Sequence, residues 1–129
     1  GEEAVSERGL TVSGELGQPA TLSIGADAAQ PTQSEVIVLA RGTGPAVTET
    51  SSIMMNVAGS YWDGSHPSNT WEQQAAESLN MAQAQQSLPG LIGVPEGSRV
   101  VVLLPPTQAV GQQQGAPASA YVMDVEKVL

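Results

Sequence analysis

Cysteine is absent from this 129-residue chain, which excludes disulfides, thiol catalysis and Cys-based metal sites. Phenylalanine is absent too. Tyr61, Trp62, Trp71 and Tyr121 are the whole aromatic complement, so few residues exist to line an aromatic ligand pocket. Basic residues are scarce: Lys plus Arg number 4 against 13 Asp plus Glu, a formal net charge of −9. Phosphate backbones are bound by clustered Lys and Arg, so the charge balance argues against nucleic acid and anionic membrane surfaces as partners. No apolar run approaches the ~18 residues of a membrane span. What remains is a chain 40% apolar and only 13% charged, which argues against full disorder. Its length suits one domain.

The hydrophobic pattern is β-leaning. Residues 1–9 are polar and read as a flexible lead-in, with Gly1 the start of a trimmed terminus. Leu10-Thr11-Val12-Ser13 alternates as a short strand, and Gly14 to Gly17 makes a turn. A second alternation over 19–24 places Leu22 and Ile24 on one face. Val36-Ile37-Val38-Leu39-Ala40 is a continuous apolar run, the mark of a well-buried strand, and Val100 to Leu104 is another. Ile53, Met55 and Val57 alternate in a strand running toward Tyr61. Asp63-Gly64 is a turn, and 65–69 is read as loop. Tyr121, Met123 and Val125 alternate in a last strand.

Between these strands lies a segment of helical character. Thr70 with Gln73 resembles a capping box, and Trp71, Ala75 and Leu79 share one helical face. Local propensity predicts one helix over 71–88, ended by Pro89-Gly90. Strands without regular βαβ spacing, plus one helical insertion, predict an α+β fold with an antiparallel sheet packed on a helix.

Few constellations carry chemistry. His66 follows Asp63 and Ser65 closely, but triad members must converge in space, and neighbours in one turn rarely do; an exposed loop histidine is expected. The carboxylates are scattered, so no metal or other cofactor is expected. Gly42-Thr43-Gly44 has the glycines of a phosphate loop but is followed by Pro45, with neither the lysine nor the helix that such a loop needs. Trp71 is either a core anchor or the wall of an apolar cleft. Tyr61 and Trp62, adjacent in a strand, face opposite sides, so one of them is expected to be partly exposed.

Several segments fall in a suggestive order. Val38-Leu39-Ala40-Arg41-Gly42-Thr43-Gly44-Pro45 comes first, then a strand ending in Gly59 and Asp63-Gly64. Next come Leu91-Ile92-Gly93-Val94 and Gly97-Ser98-Arg99, leading into a strand closed by Pro105-Pro106. The end is Ala109-Val110-Gly111 and a strand carrying Asp124. Over 36–129 this resembles the FKBP-type peptidyl-prolyl cis-trans isomerase family, particularly its actinobacterial extracytoplasmic members, with 10–35 as an amino-terminal strand extension of a single domain spanning 10–129. The resemblance implies a curved antiparallel sheet of five to six strands wrapped around one short helix, with the ligand pocket between them. It also implies a strand near 74–79 and a helix only at 82–88, against the local propensity, which leaves 71–80 open.

The resemblance further implies a pocket that grips a proline ring between aromatic walls. Carried over position by position, those walls are lost. The strand tyrosine falls on Val57, and the Phe-Asp pair on Pro67 and Ser68. The Trp floor falls on Ser87 and the preceding Ile on Ala84. The loop tyrosine falls on Val110, next to a retained Ala109, and the last-strand Phe falls on Met123. Trp71 is the aromatic expected to supply a replacement wall.

The expectation is therefore a degenerate isomerase-like domain, weak or inactive. It would bind proline-containing peptide or protein as a monomeric folding helper. It would sit outside the cytoplasm as the mature part of a secreted protein or anchored lipoprotein. The alternatives are an active isomerase with an unusual pocket, or an interaction module displaying the Gln-rich stretch at 112–114 and the Tyr61–Trp62 edge.

Overall fold

The computed structural model describes residues 2–107 and 115–129, and its order is helix, two strands, two strands, then a broken helical and edge-strand segment and two final strands. The elements are α1 (Glu2–Glu7), β1 (Leu10–Ser13), β2 (Thr21–Ile24), β3 (Glu35–Ala40), β4 (Ser52–Tyr61) and β5 (Ser68–Asn69). They continue with α2 (Thr70–Gln73), β6 (Glu77–Asn80), α3 (Met81–Ala84), β7 (Arg99–Leu104) and β8 (Ser119–Val128). The predicted α+β class and the six main strand positions hold. The lead-in is different from its expected loose state. Val5, on α1, is buried together with Leu10, and Arg8 pairs with Glu35 at 2.6 Å.

The main sheet is antiparallel, in the order β3-β7-β8-β4, with β5 and β6 sharing the far edge of β4. Alternation sends Val100, Val102 and Leu104 to an inner face and Val101 and Leu103 to an outer one. Both faces are covered. Met81 on α3, Leu88 and Leu91 pack on the inner face. The β1–β2 hairpin and α1 pack on the outer face through Leu10, Val12, Leu22 and Val5. Double coverage is why β3 and β7 are continuously apolar rather than alternating, although the sheet is antiparallel.

The segment 70–88 is where propensity loses. Asn69, not Thr70, caps α2 by accepting from the Glu72 amide, and Gln74 closes it in the left-handed conformation. Thr70 is fully buried instead: its Oγ1 accepts from the Val57 amide at 2.8 Å and donates to Asn56 Oδ1 at 2.8 Å. The chain then lies along β4, Leu79 opposite Ile53, before Asn80 caps α3. Pairing with an otherwise open edge offers Glu77–Asn80 both a ladder and a place for Leu79 in the core, which helix propensity of a few tenths of a kcal/mol per residue does not match. The single helix over 71–88 is thus replaced by two short helices and a strand. The expected loop at 65–69 also contains β5.

One polar junction joins the hairpin to the sheet. Arg99 and Asp124, opposite each other on β7 and β8, are 3% and 5% exposed on the outer face. Two guanidinium nitrogens of Arg99 meet the two carboxylate oxygens of Asp124 at 2.6 and 2.9 Å. The remaining donors reach the carbonyls of Gly14 at 2.6 Å and Gln18 at 2.8 Å, both in the β1–β2 turn. The Trp71 ring lies 5.9 Å from the guanidinium carbon. Such a pair specifies where the hairpin docks, and breaking one half leaves a buried charge. Arg99→Met is expected to cost roughly 3–5 kcal/mol in urea unfolding. It should also speed amide exchange across 10–24. Arg99→Met with Asp124→Leu should recover much of that loss; a double variant no more stable than the single one would contradict this role.

Candidate active site

The inner face between α3 and the sheet is where the resemblance places a ligand pocket. Val57 on β4 stands directly opposite Met123 on β8, and Met123 opposite Val100 on β7. Val57 is 7% exposed and Met123 4%. Around them the buried cluster of this face consists of Val47, Ile53, Met55, Met81, Leu91, Val94, Val100, Val102 and Val125, every member aliphatic or methionine. Ala84 and Leu88 pack on its margin. Among the described residues this buried cluster contains no aromatic ring and no polar side chain.

The sequence-predicted positions separate into three groups. Val57 and Met123 lie side by side on the inner face, with Ala84 packed at its margin. Ser87 is exposed, and its neighbour Leu88 turns onto the core in the place of a floor. Pro67 and Ser68 line a groove of about 810 Å³ beside Ala58, Trp62 and β2, on the outer side of the sheet. Ala109 and Val110 lie outside the described residues, as does the stretch 112–114. Trp71 does not enter the inner face. It packs on the outer face with Ala20, Ala58 and Val122, beneath the hairpin. The two-residue parity of β4 explains this: Ala58, which Trp71 covers, points away from Val57.

Tyr121 is the residue missed. It is half-buried, two positions from Met123 on the same face of β8, and pairs with Gly59. A Cβ at Gly59 would collide with the Ala120 carbonyl and lie 2.6 Å from the Tyr121 ring, so only glycine fits there. The signal was present in the alternation Tyr121-Met123-Val125, which already set Tyr121 on the face of Met123. Tyr121 thus shares the face of Met123 and is only half-buried.

Other candidates are structural. The Ser65 hydroxyl donates to Asp63 Oδ1 at 2.6 Å and lies 3.3 Å from His66 Nδ1, so its proton is committed to the carboxylate rather than to the imidazole. The bonds from the Ser65 hydroxyl and amide hold the exposed Asp63 carboxyl below its ordinary pKa. His66 is exposed, as expected, and tilts against Tyr61 with ring centroids 4.6 Å apart. Trp62 donates its indole N–H to the Ala28 carbonyl at 3.0 Å, and both Tyr61 and Trp62 remain partly exposed, where at least one was expected to be. The Gly42-Thr43-Gly44 amides are likewise engaged: Gly42 donates to Ser98 Oγ at 2.9 Å and Gly44 to the Glu96 carbonyl at 3.1 Å.

The architecture is that of the FKBP-type peptidyl-prolyl isomerases. No protein-family profile and no curated protein matches the chain by sequence. Solved structures match by fold. FkpA from Escherichia coli superposes with a TM-score of 0.60 at 15% identity, over 98% of this chain and 55% of that one. The N-terminal domain of FKBP42 from Arabidopsis thaliana gives 0.59 at 13% identity, over 83% and 95% of the two chains. FKBP12 of Mycobacterium tuberculosis gives 0.52 at 19%, over 77% and 86%. The chain thus spans little more than half of FkpA.

If the inner face is filled as described, a larger side chain has no room. Val57→Tyr is expected to destabilise by about 1–3 kcal/mol, the range for overpacking a well-filled core. Urea unfolding reads it. An unchanged midpoint would mean that an open slot adjoins residue 57.

Proposed function

We propose that this domain is an isomerase-like peptide binder whose prolyl isomerase activity is weak or lost. The observation that carries the reading is the Val57–Met123 pair, buried in an aliphatic cluster where a prolyl ring would need to enter. The planar X–Pro amide resists rotation by ~20 kcal/mol. Lowering that barrier requires groups that favour the twisted amide over both planar forms. Each tenfold in rate takes ~1.4 kcal/mol of such preference. Aliphatic side chains packed on each other supply apolar contact but no directed polarity. A proline-containing segment would then lie against Tyr121 rather than insert its ring. The role that fits is holding incompletely folded chains, outside the cytoplasm, as a monomeric secreted or lipid-anchored folding helper. The absence of cysteine and the scarcity of lysine support that setting.

One observation favours a second reading, a residual isomerase. Tyr121 is an aromatic with a hydroxyl on the correct face of β8. An X–Pro peptide assay separates the two. The expected result is a rate close to that of buffer alone, together with improved recovery of a denatured proline-containing protein. If a small acceleration is seen, Tyr121→Ala should lower it by about tenfold, corresponding to ~1.4 kcal/mol. Strong acceleration that survives Tyr121→Ala would overturn the reading.

A further inference from the structure

The outer face carries a second feature that neither the fold nor the inner-face cluster uses. The Gly25 amide donates to the Gly9 carbonyl at 2.8 Å, which fixes the ladder phase of the hairpin. With Thr11 opposite Ser23 and Ser13 opposite Thr21, those residues exchange the β1–β2 bonds. The amides and carbonyls of Leu22 and Ile24 must then point the other way, out of the free edge of β2. Among the described residues nothing pairs with them. Residues 21–26 line an open groove of about 810 Å³ together with Pro67 to Asn69 and Glu72, so the β2 edge residues share a groove with these side chains. Exposed strand edges are ordinarily blunted by lysine, a bulge or a cover. Thr21-Leu22-Ser23-Ile24 has none of these; only its four-residue length and Pro19 at its approach limit the edge.

Charge selects the occupant. The groove is lined by Asp63 and Glu72, both exposed, and by no basic residue. The Ser65 bonds keep Asp63 ionised well below neutral pH. A second copy of this chain, itself at −9, is repelled from such a site. The groove on the other side of the hairpin, about 570 Å³, mixes Glu15 with Arg99 and so shows no single sign. We infer that the free edge of β2 binds an extended basic peptide segment as an added strand, with its Lys or Arg side chains directed at Asp63 and Glu72. Main-chain bonds at Leu22 and Ile24 would give affinity, and the two carboxylates would give selectivity. This site lies on the opposite face from Val57 and Met123, so its failure leaves the proposed function standing, and the reverse holds too.

The test is a titration of the isotope-labelled protein with acetyl-VKVKV-amide at millimolar concentration. Expected are shifts and slowed amide exchange at Leu22 and Ile24, with Val57 and Met123 unmoved. The acidic peptide acetyl-VEVEV-amide should shift neither residue. Asp63→Asn with Glu72→Gln, both at exposed positions, should weaken binding about three- to tenfold. A peptide N-methylated at its valines should lose the exchange protection. Three results would overturn the inference: equal binding of the N-methylated peptide, shifts confined to Val57 and Met123, or concentration-dependent protection of Leu22 and Ile24 without peptide, which would mean pairing with a second copy.

Discussion

The ion pair of Arg99 with Asp124 is the constraint on which the arrangement turns. An antiparallel sheet can leave one face to water, but this one has apolar side chains on both. Something must therefore hold a cover on the outer face. The hairpin is short, with two four-residue strands, and a hairpin of that size is marginal by itself. Arg99 joins it to β7 and β8 by bonding the turn carbonyls of Gly14 and Gln18 while meeting the carboxylate of Asp124. Each guanidinium nitrogen has an acceptor, so the charge is buried without an orphaned donor.

With the outer cover fixed, the inner face is left to α3 and the turns around it. Its filling sets the functional reading. On this face Val57, Met123 and Met81 are buried in one aliphatic cluster, and under the proposed reading they fill the space a prolyl ring would need. Methionine suits the purpose, because its unbranched chain fills irregular gaps. Under the two proposals, peptide would meet the half-buried Tyr121 and the free edge of β2 instead.

Much of the fold was legible in the sequence. The alternations at 10–13, 53–61 and 121–125, and the apolar runs at 36–40 and 100–104, are periodic signals that survive packing. The elements misread were short ones whose conformation is decided by distant partners. Leu79 faces Ile53 because β4 has an edge to fill, and no local property of 70–80 announces that. Val5 orders α1 by reaching the outer core. The site was legible where parity alone decides, as at Val57 and Met123. Trp71, open between core anchor and cleft wall, packs against the outer-face cluster, a side set by the turn from β5 into α2, while at Ser87 a one-residue offset brings Leu88 inward instead.

The most direct measurement is the methyl spectrum of the methionines, isotope-labelled, while a proline-containing peptide is added to saturation. Met81 and Met123 lie inside the inner-face cluster, so their methyl groups report any ring that enters it. Bound peptide with both resonances unmoved is the expected result. A large ring-dependent shift of Met123, absent with an alanine-for-proline peptide, would show an open slot and contradict the account.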